Sequence, residues 1–151
     1  HPELLDDTLL PQTLGIAIRK LHDFGECKLG KGKYLGHPYW SREARVLLEA
    51  NSRKIEGIES SLSHEHVIPV SVVVKRLLSL PTKSSIQEFE NEIRRLSLVA
   101  IIHRDQDASL RAVKISRSSN HDWIESDPWW RYREAKILSQ IVDDSGNGLE
   151  V

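Results

Sequence analysis

The sequence predicts an α+β fold, mostly helical and arranged as a single domain. Three observations carry that expectation. Apolar residues recur with helical spacing in two stretches, Leu14, Ile18, Leu21 and Phe24, then Ile86, Phe89, Ile93 and Leu96. Two short runs, Leu62–Ile68 and Leu98–Ile102, read instead as strands, the second continuously apolar as a buried strand would be. No internal repeat or linker divides the 151 residues, a length that buries a core without staples.

Composition narrows the class further. With 39% apolar and 28% charged residues the chain reads as neither disordered nor membrane-embedded. No apolar run approaches the roughly 20 residues that span a bilayer, and His1-Pro2-Glu3 has no signal-peptide pattern. Cys27 is the only cysteine, which excludes an internal disulfide and a cysteine-cluster zinc site. The expected setting is therefore reducing and cytoplasmic. A net charge of -1 gives no global footprint for nucleic acid, so any such binding has to come from a local basic face.

Taken in order, residues 1–10 are short and acidic with four leucines, as a docking segment would be. A helix runs from Pro11 to about Phe24, with Pro11 suited to the first turn and Gly25 to the stop. Lys28 to Trp40 is a glycine-rich basic loop with aromatics. Gly25 to Lys31 spells GxxxxGK, but Gly32 stands where a P-loop needs Ser or Thr, and the stretch follows a helix. Ser41 caps a helix to about Asn51, with Ala44, Val46, Leu47 and Leu48 turned inward. Asn51 to Ser61 is a connection, and strand Leu62–Ile68 is stopped by Pro69. A helix from Val70 to Leu80 is broken by Pro81, and Ser85-x-x-Glu88 is a capping box opening the next. Strand Leu98–Ile102 ends at His103, followed by a short helix from Arg104 to about Arg111. Residues 112–121 are polar loop. Asp127-Pro128-Trp129-Trp130 leads into a final helix to about Val142, with Trp123, Trp129 and Trp130 packing this segment onto the core.

Reactive side chains concentrate at one place, His64-Glu65-His66, directly before Val67-Ile68-Pro69. A second place follows the next strand, with His103 at its end and Asp107 in the helix after it. Phosphodiester hydrolysis needs a base for water and a cation on the phosphate oxygens. Histidine titrates near neutrality, so His66 suits the base, and carboxylates such as Glu65 and Asp107 suit Mg²⁺ or Mn²⁺. On a regular strand Glu65 and His66 face opposite sides, so one site can use both only if the strand bends or ends there.

The motif Glu65-His66-Val67-Ile68-Pro69, with a second strand and a short helix behind it, resembles the HNH endonuclease superfamily. The resemblance covers roughly residues 62–111. It implies an embedded ββα-metal core, flanked by a helical N-terminal part over 11–51 and an aromatic, helical C-terminal segment over 123–142. It also implies a divalent-metal-dependent endonuclease acting on DNA, with RNA as the alternative substrate. Glu65 and Asp107 would then be metal ligands, with His103 and His64 as further candidates, and His66 the general base. The sequence departs from the family in lacking a clear middle Asn and the paired cysteines of a structural zinc, and in having two helices between the strands.

A rival reading uses the same residues. His64 and His66 share a strand face, an arrangement that suits Zn²⁺ with His103 or His121 as a third ligand. A non-catalytic binding module, docking through the leucine-rich start and the tryptophan-rich tail, is the alternative from another class. Nucleic-acid contacts are expected from Lys31 and Lys33 in the basic loop, and from Arg104, Arg111, Lys114 and Arg117 around the second helix. Double-strand cleavage from one site per chain would favour a homodimer.

Overall fold

A computed structural model describes residues 9–24, 34–113, 127–143 and 145–149. Among these, six α-helices surround a four-stranded mixed sheet, as an α+β fold requires. The strands are β1 (Tyr39–Ser41), β2 (Leu62–His66), β3 (Val99–His103) and β4 (Ile141–Val142), in the order β2-β3-β1-β4. β2 and β3 run antiparallel, β1 lies parallel to β3, and β4 closes the far edge antiparallel to β1.

Helix α1 (Leu9–Phe24) begins two residues before Pro11, which the first turn tolerates because an N–H at that position would have no intrahelical acceptor. Helix α3 (Val70–Leu78) starts directly after Pro69, and α4 (Ile86–Leu96) carries the expected capping box. There the Glu88 amide donates to Ser85 Oγ (3.2 Å) and the Ser85 amide donates to Glu88 Oε2 (2.6 Å). Ile18, Val73, Leu77 and Leu96 from these three helices form one apolar cluster. Residues 67–98 therefore fold as an insertion between two strands that are spatial neighbours.

The sheet's two faces hold the other clusters. Helix α5 (Arg104–Ala112) and the C-terminal segment cover one face, where Ala100, Ile102, Leu110, Tyr132 and Ile141 meet. Helix α2 (Arg42–Ala50) covers the opposite face, where Trp40, Ala44, Leu48, Leu62, Ile101 and Val142 meet. Among the described residues no helix is long and apolar enough to cross a membrane.

Four sequence expectations are corrected. Tyr39 and Trp40, read as loop, form β1, because they pair with the buried Ala100 and Ile101 of β3. Val46 does not face inward but is 68% exposed, since the stripe on α2 runs through Ala44 and Leu48 and leaves it on the outer side. Ile86, placed on the apolar side of α4, is 81% exposed at the first position after the cap. The final helix does not reach Val142. Helix α6 (Trp130–Glu134) ends near Lys136, whose φ of 59° breaks it, and a 3-10 turn (Leu138–Gln140) leads into β4. Ile141 and Val142 are both buried but in different clusters, the alternation of a strand with two covered faces.

Candidate functional site

The register of β2 on β3 decides which side chains share a face. Leu62, Ser63, His64, Glu65 and His66 pair in turn with His103, Ile102, Ile101, Ala100 and Val99, without a bulge. The ladder continues past His66, with the Val67 amide donating to the Leu98 carbonyl at 2.9 Å. The strand neither bends nor ends between Glu65 and His66, and the two side chains point to opposite faces. Glu65 joins the α5 face with Val67, and His66 joins His64 on the α2 face.

On the α5 face Glu65 meets a residue from outside the stretch that carries the motif. Arg131, on α6, donates from Nη1 (3.1 Å) and Nη2 (3.2 Å) to the same oxygen, Glu65 Oε1. Its Nη1 also reaches the His66 carbonyl at 3.4 Å. The pair is largely buried, with Arg131 8% and Glu65 22% exposed at the side chain. Burial pushes the Glu65 carboxyl above its ordinary range. Arg131 pulls it back, and the negative charge of Asp107 raises it again. Glu65 and Asp107 thus sense each other across the face. Tyr132, fully buried beside them, has its phenol pushed well up, first by burial and then by the Glu65 charge. Its hydroxyl has no hydrogen-bond partner among the described residues.

Asp107 sits in the first turn of α5 and is itself buried, with both oxygens held by Arg111 (Nε to Oδ1 3.1 Å, Nη2 to Oδ2 2.6 Å). Arg111 is 77% exposed, so its fork is a solvent-side cover on the carboxylate. Asp107, Arg104, Arg111, Ser63 and Ala108 line one open cavity of about 380 Å³. Two of the arginines expected to meet phosphate are therefore brought beside the expected acidic ligand.

The helix that presents Asp107 is fixed by a polar network at its start. The His103 amide donates to Ser41 Oγ (3.2 Å) and to Gln106 Oε1 (2.9 Å). Gln106 Nε2 donates to Glu43 Oε2 and, at 2.6 Å, to Gln140 Oε1. The His103 ring caps the same helix, its Nδ1 accepting from the Asp105 amide at 3.4 Å. His103 is thus an N-cap at the end of β3 opposite Leu62. The structure brings it neither to Glu65 nor to His64 and His66.

His64 lies edge-on to His66 (centroids 5.7 Å) and to His37 (4.7 Å), a buried residue that the sequence reading left without a role. The His37 carbonyl accepts from Trp40 Nε1 at 3.0 Å, which ties the loop before β1 to this face. Among the described residues no three His, Cys, Asp or Glu side chains stand as a metal-holding group. The expected three-histidine zinc arrangement is thus not formed by His64, His66 and His103. His121, the other expected third ligand, falls outside the described residues, as do Lys31, Lys33, Lys114, Arg117 and Trp123.

On the α5 face the two carboxylates, Glu65 and Asp107, are each held by an arginine. Mg²⁺ and Mn²⁺ are commonly held by one or two carboxylates and keep several waters for substrate to replace. Glu65 Oε2 accepts no hydrogen bond among the described residues, and the cover on Asp107 is an exposed side chain. Comparison with protein-family models, curated proteins and solved structures finds no match to this chain.

Proposed function

We propose that this chain is a divalent-metal-dependent endonuclease of the HNH kind, hydrolysing phosphodiester bonds in DNA, with RNA as the alternative substrate. In this reading β2, β3 and α5 are the ββα-metal unit, and the α3–α4 pair is inserted between its strands. One observation carries the proposal: Asp107, Arg104 and Arg111 line one cavity on the α5 face of the sheet, the face to which Glu65 also points.

Glu65 and Asp107 would hold Mg²⁺ or Mn²⁺, which when bound polarises the phosphate and stabilises the leaving oxygen. Arg104 and Arg111 bind the phosphate, and Arg111 exchanges Asp107 for it. The resemblance gives His66 the proton of the attacking water; here it points to the face opposite Glu65, so that role requires β2 to move when substrate binds. His66 stands on an edge strand, paired with β3 on one side only. Proton transfer is the step that the His66 variant isolates.

Supercoiled plasmid incubated with the protein and Mg²⁺ or Mn²⁺ should be nicked. Asp107→Asn and His66→Ala should each abolish nicking while retaining the fold, and His103→Gln should not. Nicking by Asp107→Asn at the parent rate refutes the site. Nicking by His66→Ala alone at the parent rate removes the histidine from the reaction and leaves the carboxylates in it.

One observation favours a second reading. Both carboxylates already have an arginine partner, as they would in a non-catalytic binding module. Absence of Mn²⁺ binding at millimolar concentration, together with absence of nicking, would select it.

A further inference from the structure

We propose that the cavity on α5 binds a phosphodiester of a nucleic-acid strand without a metal, and that Asp107 is the anion this phosphate displaces from Arg111. The inference rests on the nuclease reading for its two arginines. It adds that the seat works without an ion and that Asp107 holds its affinity down.

Arg104, Asp107, Ala108 and Arg111 follow one another at helical intervals, so they form one stripe two turns long on α5. Ser63, on β2, completes the lining of the 380 Å³ cavity. Two arginines and one aspartate leave that lining one positive charge, which matches the single negative charge of a phosphodiester. A phosphate monoester carries about 1.5 to 2 negative charges near neutrality, more than the lining offsets. Glu65 points to the same face, but its charge is met by the buried Arg131.

Three observations point to an anion as the ligand. The Arg104 guanidinium makes no hydrogen bond or ion pair among the described residues, although Asp105 and Asp107 are its near neighbours in sequence. The Ser63 hydroxyl likewise has no partner among them. Arg111 closes its fork on both oxygens of Asp107 while remaining 77% exposed. A carboxylate and a phosphate present paired oxygens to that fork in the same way, so Asp107 stands in for the ligand. Exposed ion pairs are weak, and this one can be exchanged. Ala108, in the middle of the stripe, leaves the space that a longer side chain would fill.

The test measures binding of a fluorescein-labelled DNA duplex without terminal phosphates to the full chain in EDTA, by fluorescence anisotropy. Arg104→Met and Arg111→Met should each bind about tenfold more weakly, the loss of one charged contact. Ala108→Leu, at an exposed position, should weaken binding by filling the seat. Asp107→Asn should bind about two- to fivefold more tightly, because Arg111 no longer leaves a partner. Asp105→Asn removes the same charge from the same turn, outside the cavity and almost fully exposed, and should bind as the parent does. No gain in Asp107→Asn, or an equal gain in Asp105→Asn, overturns the exchange. Parent-like binding by Arg104→Met and Ala108→Leu overturns the site, and these two decide if Asp107→Asn does not fold. Binding of a nucleoside monophosphate but not of the duplex overturns the phosphodiester as ligand. Duplex binding in EDTA without nicking in Mg²⁺ or Mn²⁺ upholds the site and sinks the nuclease reading. Nicking without duplex binding in EDTA does the reverse.

Discussion

Replacing Arg131 by Met should expose how much the fold depends on a single cross-chain ion pair. The change keeps most of the side-chain volume but leaves Glu65, only 22% exposed, without its cation and with Asp107 nearby. Removing one partner of a buried pair costs about 3–5 kcal/mol, because the other charge remains desolvated. An unfolding entropy of about 2.1 cal/mol/K per residue, taken over the whole chain, converts this into a Tm lower by roughly 10–16 °C at neutral pH. The sign of the pH dependence follows from the carboxyl's direction. Burial already raises Glu65, and losing Arg131 raises it further. A group raised on folding contributes fully below its unfolded value, and that contribution is lost as pH rises through the folded one. The gap between parent and variant should therefore be small in acid and full at neutral pH. Glu65→Gln combined with Arg131→Met should recover much of the loss, giving a coupling energy well above that of a surface pair. Thermal melts followed by far-ultraviolet circular dichroism across pH 4 to 8, values set on the order of ordinary carboxylate and neutral conditions, measure all of this. A variant melting within about 2 °C of the parent, or a gap that does not change with pH, would refute the reasoning.

Two further expectations concern the supports of the site and of the insertion. Leu110→Ala empties a fully buried position on α5 against Ile102 and Tyr132, and should cost about 2–5 kcal/mol in urea unfolding. A loss below about 1 kcal/mol would mean that α5 is held by its N-terminal network rather than by packing. Glu92 on α4 is pulled down to about 2 from an ordinary 4.5, first by Arg95 and also by Arg76. A lowered carboxyl gives stability above its unfolded value and loses it as pH falls, so the pair's contribution should vanish between pH 4.5 and about 2. Both arginines are more than a third exposed, which screens the effect to on the order of 1 kcal/mol. Glu92→Gln should flatten that acid limb, and an unchanged limb would assign it to other carboxylates.

What could be read from the sequence was what is local. The Ser85–Glu88 box closes within one turn, and Pro69 and Pro81 act on their own neighbours, so the α3–α4 insertion was legible almost to the residue. Strand alternation already implied that Glu65 and His66 face apart, and the structure adds the unbroken register that makes it so. Arg131 was hidden by its own neighbourhood. Asp127 and Glu134 offered nearby partners, yet Asp127 pairs with Arg133 while Arg131 crosses to β2. His103 looked like a ligand by type and position, although a ring nitrogen can cap a helix as well as bind a metal. β1 left no periodic trace, since three residues are too few to alternate and its partners lie far along the chain.

The insertion of residues 67–98 also bears on how the protein can be handled. β2 and β3 pair across the α3–α4 insertion, and Glu65 meets its cation only where the last part of the chain docks. A fragment ending at Ala112 would keep the whole motif and both of its strands. It would lose Tyr132, Ile137, Leu138 and Ile141 from one core cluster, and with Arg131 gone it would leave a buried carboxylate without its cation. The motif is therefore not a portable cassette. Grafting it onto another scaffold, or expressing it alone, requires bringing the C-terminal strap with it.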